Sequence, residues 1–138
     1  MVSKIFLDTS YAIALSVESD SNHERALSIA ASLEAGQAHL ITTRGILLEI
    51  GNSLSRHRYR NAAIRLLTAL DSDPTIEVVG ITYDLYTRGF ELFQHRSDKD
   101  WGIIDCISFV LMQERGVSKA LTADVHFEQA GFIALLRG

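Results

Sequence analysis

Short apolar runs alternate with amphipathic stretches along this chain, and each change of period marks the boundary of an element. Lys4–Leu7 is the first run, rich in Ile, Phe and Leu and too short for a helix, so it predicts a buried strand. A polar break at Asp20–Asn22 follows. Ser21 and Glu24 stand in capping-box spacing ahead of a helical pattern over Arg25–Glu34, which Gly36 ends. Ala38–Thr42 predicts a second strand and Thr43–His57 a helix. Tyr59–Leu70 predicts another helix, apolar at Ala62, Ala63, Leu66, Leu67 and Leu70. The lone proline, Pro74, marks a turn before a third strand at Ile76–Val79. Thr82–His95 reads as a helix, Ser97–Trp101 as a polar loop, and Asp105–Arg115 as a helix closed by Gly116. Val117–Thr122 and Phe132–Leu136 are the fourth and fifth strands.

Strands alternating with helices predict an α/β fold. The expected architecture is an α/β/α sandwich, with a central, mostly parallel sheet of about five strands covered by helices on both faces. With no internal repeat or linker, 138 residues predict a single domain over 1–138, long enough to bury a core. Such sheets bind ligands beyond the carboxyl ends of their strands. Asp8 and Asp124 both fall at that end of a predicted strand.

Composition narrows the picture without deciding it. Apolar residues make up 47% and charged residues 22%, the balance of a soluble globular protein. No apolar run approaches a membrane span, and Met1–Lys4 leads into a strand with no signal-peptide pattern. The single cysteine, Cys106, allows no internal disulfide, so residence in the cytoplasm is expected. The formal charge of −4 argues against broad adhesion to nucleic acid. Setting aside four carboxylates that share one pocket leaves a neutral remainder, which can still carry basic patches.

Four acids are candidates for such a pocket: Asp8 after Ile5-Phe6-Leu7, Glu49 within an apolar helix, Asp105, and Asp124 in Thr-Ala-Asp. Each has an ordinary alternative. Asp8 and Asp124 can be turn or capping residues, and Asp105 can be the N-cap of its helix. Helical periodicity puts Glu49 on a narrow polar stripe with Asn52 and Arg56, a solvent-facing glutamate paired with one of them. What capping does not explain is why the aspartates gather at one sheet edge. A carboxylate at the end of a buried strand is costly unless paired, and a divalent cation is a partner that several can share.

The stretches I-F-L-Asp8-T-S, T-T-R-x-x-L-x-Glu49-I-x-N, D-K-D-W-x-x-x-Asp105-C-I-S-F and L-T-A-Asp124-x-H-F-x-Q-A-G-F run almost end to end. In them the chain resembles PIN-domain proteins and is similar to the VapC-type toxins of toxin–antitoxin pairs. The resemblance implies a metal-dependent ribonuclease with these four acids around one or two Mg²⁺ or Mn²⁺ ions. Asp8, Asp105 and Asp124 would be the principal ligands, and Glu49 a ligand or the group that orients the attacking water. It also implies products with 5′-phosphate and 3′-hydroxyl ends, an RNA substrate, a cognate antitoxin and a homodimer. Many relatives carry Ser or Thr before the third acid where this chain has Ile104, which removes a hydroxyl and no carboxylate. Asp100 is an accessory candidate, and the hydroxyls of Thr9 and Thr122 can orient a carboxylate or serve only a turn.

The densest basic segment is Arg56-His57-Arg58-Tyr59-Arg60, with Arg44 and Arg65 nearby and Arg96 and Lys99 in the loop before Asp105. Arginine interleaved with tyrosine suits phosphate contact and base stacking in RNA, and equally suits a solvated helix junction. His95, Cys106 and His126 lack zinc-site spacing, and His126 with Ser10 has no nucleophile-elbow motif behind it. A catalytically weak module that binds RNA or protein is the alternative to the nuclease, with phosphatase action on small phosphoesters a more distant one.

Overall fold

The first apolar run becomes the central strand of the sheet, β1 (Lys4–Leu7), because Phe6 and Leu7 are buried from both faces and flanked on both edges. The computed structural model describes residues 3–138; Met1 and Val2, at the start of the segment expected to lead into β1, lie outside the described residues. On one side β1 pairs with β2 (His39–Thr43), which pairs with β3 (Ile76–Val79). On the other it pairs with β4 (Lys119–Leu121), which pairs with β5 (Ile133–Ala134). The order is β3-β2-β1-β4-β5 and all four pairings are parallel.

Among the described residues seven helices connect the strands: α1 (Thr9–Ser16), α2 (His23–Ala35), α3 (Arg44–Ser53), α4 (His57–Ser72), α5 (Tyr83–His95), α6 (Ile103–Arg115) and α7 (Val125–Gln129). Right-handed crossovers moving outward from β1 to β3 put α1–α4 on one face, and the return through β4 and β5 puts α5–α7 on the other. The packing agrees, with α1 against α2, α3 and α4, and α6 against α5 and α7. On the second face a chain of rings runs from Phe6 through Phe127 to Phe109, at 6.0 and 4.9 Å between centroids, and on to Trp101 at 5.0 Å. These contacts seat α6 and α7 against β1.

Several expected boundaries move. α1 was not foreseen, because Tyr11, Ala12 and Ala14 are buried and its neighbours half-buried, so the segment shows no amphipathic period. The expected capping box at Ser21 and Glu24 does not form; α2 starts at His23 after Asn22, whose side chain makes no cap. The Thr43–His57 helix ends at Ser53, and α4 starts at His57 and runs on to Ser72. β4 and β5 are shorter than their apolar runs, and Val125–Gln129 forms a short helix where only a turn was expected.

Candidate metal centre

The chain leaves β1 toward β2 and comes back to β4, so the strand order reverses between β1 and β4. At such a switch point the connections part and leave a crevice at the carboxyl edge of the sheet. Asp8 follows β1 directly and Asp124 follows β4 after two intervening residues, so both acids stand at that edge. α6 brings Asp105 in its first turn, where the helix dipole favours a negative charge, and α3 brings Glu49.

Donors from neighbouring segments hold each acid by one oxygen. Asp8 is 5% exposed, and its Oδ2 accepts the Thr122 hydroxyl at 2.7 Å, the Ser10 hydroxyl at 2.9 Å and the Ser10 N–H at 3.4 Å. Glu49 Oε1 accepts the Thr9 hydroxyl at 2.7 Å. Asp105 Oδ2 accepts His126 Nδ1 at 2.9 Å and the Gly102 N–H at 3.3 Å. Asp124 Oδ1 accepts the His126 N–H at 2.9 Å, with His126 Nδ1 3.4 Å away. Among the described residues no donor bonds the second oxygen of any of the four. The four half-held carboxylates feel one another's charge and each has a free oxygen. Among the described residues only Asp105 and Asp124, with His126, bring ligand atoms within 4.8 Å of one another; Asp8 and Glu49 lie outside that group.

Their charges are felt mutually. Burial pushes the Asp8 carboxyl up from 3.8, the Thr122 and Ser10 hydroxyls pull it back, and the Asp105 charge raises it further. Burial also raises Glu49, which the Thr9 bond opposes and the charges of Asp8, Asp105 and Asp124 reinforce. Asp105 is raised by burial, then by Asp124, against the bond from His126. A cation bound beside these acids would favour their charged forms against burial and mutual repulsion.

The structure corrects two sequence expectations and supplies two missing residues. Asp105 is not the N-cap of its helix; α6 starts two residues earlier, after Gly102, and Asp105 reaches back to the Gly102 N–H. Glu49 is half-buried and bonded to Thr9 on α1, not paired with Asn52 or Arg56. His126 was set aside for want of zinc spacing, yet Asp105, Asp124 and His126 place one ligand atom each within 4.8 Å of one another. Its signal was its position two residues after a capping Asp124, which turns it back toward the cap. Ser10 was weighed only as a nucleophile beside His126; its hydroxyl instead donates to Asp8 and accepts the Ala123 N–H at 2.9 Å.

The remaining candidates divide. Thr9 and Thr122 bond acids directly. Asp100 is exposed in the α5–α6 loop and is not among the charges felt by Asp8, Glu49 or Asp105. Arg44 is engaged by both oxygens of Asp71 at 2.9 and 3.0 Å. Arg56, Arg58 and Arg60 are exposed at the α3–α4 turn, the far end of α3 from Arg44; Arg58 lies over the Tyr59 ring at 4.7 Å and Arg60 bonds the Ser55 carbonyl at 2.7 Å. Lys99 is half-buried in the loop before α6, where Arg96 pairs with Asp98.

A model of the PIN domain matches residues 5–133. Among curated proteins, the chain is similar to the 23S rRNA-specific endonuclease VapC20 of two Mycobacterium tuberculosis strains. Identity is 28% over 129 residues, covering 94% of this chain and 95% of the relative. Among solved structures it is similar to Mycobacterium tuberculosis VapC20, described as a sarcin-ricin loop cleaving toxin. The TM-score is 0.83 at 27% identity, over 94% of this chain and 97% of that one.

Proposed function

The chain belongs to the PIN domain family, and from that premise we propose that it is a metal-dependent endoribonuclease, the toxin of a toxin–antitoxin pair, which hydrolyses phosphodiester bonds in single-stranded or loop RNA. The observation that carries the reading is the set of four carboxylates at the switch point, each held by one oxygen and free at the other. The RNA substrate is supported by the descriptions of one relative, VapC20, as a 23S rRNA-specific endonuclease and as a sarcin-ricin loop cleaving toxin.

The donor chemistry fits a hard divalent cation. Free carboxylate oxygens suit Mg²⁺ or Mn²⁺, which keep several waters and take a few carboxylates. Asp8, Asp105 and Asp124 would hold one or two such ions, directly or through water, with Glu49 as a further ligand or as the group that aligns the attacking water. When bound, the ion offsets charge at the phosphate and makes a water acidic enough to react near neutral pH. The protein's own part is positioning. Ser10 and Thr122 fix Asp8, and Thr9 fixes Glu49, so each free oxygen keeps its direction before substrate arrives.

Arg56, Arg58 and Arg60, with Lys99, are the proposed RNA contacts outside the acids; Arg44 is neutralised by Asp71 and contributes less. A cognate antitoxin and a second copy of the chain are the proposed partners. The exposed aromatics Tyr83, Tyr86, Phe90 and Phe93, spaced along α5, are a surface of the kind such partners cover. None of the described helices is long and apolar enough to cross a membrane, and action in the cytoplasm is part of the proposal.

The test is incubation with a sarcin-ricin-type RNA hairpin, an unstructured RNA of equal length and p-nitrophenyl phosphate, each with Mn²⁺. Internal RNA cuts bearing 5′-phosphate ends support the proposal. Hydrolysis of the small ester alone, or RNA binding without cuts, contradicts it.

A further inference from the structure

His126 makes two N–H bonds to two different acids. Its main-chain N–H donates to Asp124 Oδ1 at 2.9 Å, closing the first turn of α7. Its ring Nδ1 lies 2.9 Å from Asp105 Oδ2 and 3.4 Å from Asp124 Oδ1. An ionised carboxylate only accepts, so with both acids ionised the tautomer that bonds them is the one with its proton on Nδ1. A protonated Nδ1 has no lone pair to offer a metal, so at this atom the imidazole acts through the acids. The usual order, in which a ligating histidine is steadied by a carboxylate, is reversed.

We infer that His126 is the positioning residue of the metal centre, holding Asp105 beside Asp124 through Nδ1–H so that the two carboxylates would be placed to hold an ion together. This rests on the metal-site reading above and names a residue that the four acids alone do not include. Without the clamp, Asp105 keeps only the 3.3 Å bond from Gly102 and can rotate away from Asp124. Because α7 is five residues long and packs on α6, the same bond ties the end of β4 to the first turn of α6.

The test compares Mn²⁺ affinity, by calorimetry on the RNA-free protein, for wild type, His126→Asn, His126→Gln and His126→Ala, each verified as folded by circular dichroism. Asn presents its amide N–H near the Nδ1 position and Gln presents it farther out. The inference predicts that His126→Asn binds within about threefold of wild type, while His126→Gln and His126→Ala lose roughly 10–100-fold, the usual scale for a residue supporting a ligand. Wild-type affinity in His126→Gln overturns it, as does a loss in His126→Asn equal to that in His126→Gln. If His126→Ala does not fold, the Asn and Gln pair still decides. Absence of Mn²⁺ binding by wild type overturns the metal-site reading itself and the inference with it.

Discussion

Thr122 holds Asp8 with its only hydroxyl proton, at 2.7 Å, and the same oxygen accepts the Asp124 N–H at 3.0 Å. One buried side chain at the end of β4 therefore sets the carboxylate after β1 and the backbone of the carboxylate after β4. Ser10 gives its own proton to Asp8, so its 3.2 Å contact with Thr122 has no proton left to share and is a packing contact within the same brace.

Thr122→Val keeps the shape and removes the hydroxyl. We expect a loss of about 1–3 kcal/mol in urea denaturation, the range for a buried polar group deprived of a partner. Cleavage should fall roughly 10–100-fold, as for other residues that steady a metal ligand. Unchanged stability would mean that Ser10 alone suffices for Asp8.

Acidity follows from the same burial. The folded pKa values of Asp8, Glu49 and Asp105 lie above their ordinary values of 3.8, 4.5 and 3.8, chiefly through burial. Between the ordinary and the raised values the folded state holds more protons than the unfolded chain. The stabilising contribution of these groups is therefore complete below the ordinary values and is lost as pH rises through the raised ones. In metal-free protein at pH 7, Asp8→Asn should raise the melting temperature above wild type, and the gap should close toward pH 4. Mn²⁺ at about one hundred times its Kd should stabilise wild type by about 2.7 kcal/mol and leave Asp8→Asn nearly unmoved. A lower melting temperature for metal-free Asp8→Asn at pH 7 would contradict this ordering.

Glu49→Gln retains an oxygen for the Thr9 hydroxyl, so the fold should be unaffected. Single-turnover RNA cleavage should fall by roughly 10²–10⁴, the range for a group that positions or deprotonates the attacking water. Wild-type rates would return Glu49 to a structural part in joining α3 to α1.

Gly89→Ala probes the support beneath Asp105. A Cβ at Gly89 would lie 2.5 Å from Ile107 Cγ1 and 3.1 and 3.2 Å from the Ile107 Cα and N. The backbone of α6 cannot yield as a side-chain tip can. Alanine gains about 1 kcal/mol of helix propensity, against about 1–3 kcal/mol for overpacking. We expect net destabilisation by guanidinium titration and weaker cleavage, because Ile107 is two residues from Asp105. A stabilised variant would show that α5 and α6 separate freely.

The sequence carried the sheet edge well, because strand ends and turn residues are local: Asp8 and Asp124 follow from the runs before them. It hid α1, whose buried Tyr11, Ala12 and Ala14 erase the helical period. That loss propagated. With α1 unseen, Thr9 could not be brought to Glu49, and periodicity left Glu49 among its own helix neighbours. His126 was hidden for a related reason, since its partner Asp105 is 21 positions away and meets it only through the packing of α7 on α6. The basic segment was the most legible cluster, yet it stands at the far end of α3 from Arg44, and Arg44 is taken by Asp71.

If RNA is cut by a divalent ion held on these acids, as proposed, cleavage must follow the metal. The most direct measurement is cleavage of an end-labelled RNA with Mn²⁺, then with EDTA, then with Mn²⁺ restored in excess, for wild type and Asp105→Asn side by side. Cuts should vanish with chelator, return with metal and be absent throughout in a folded Asp105→Asn. Cleavage that persists in EDTA, or that Asp105→Asn retains, would contradict it.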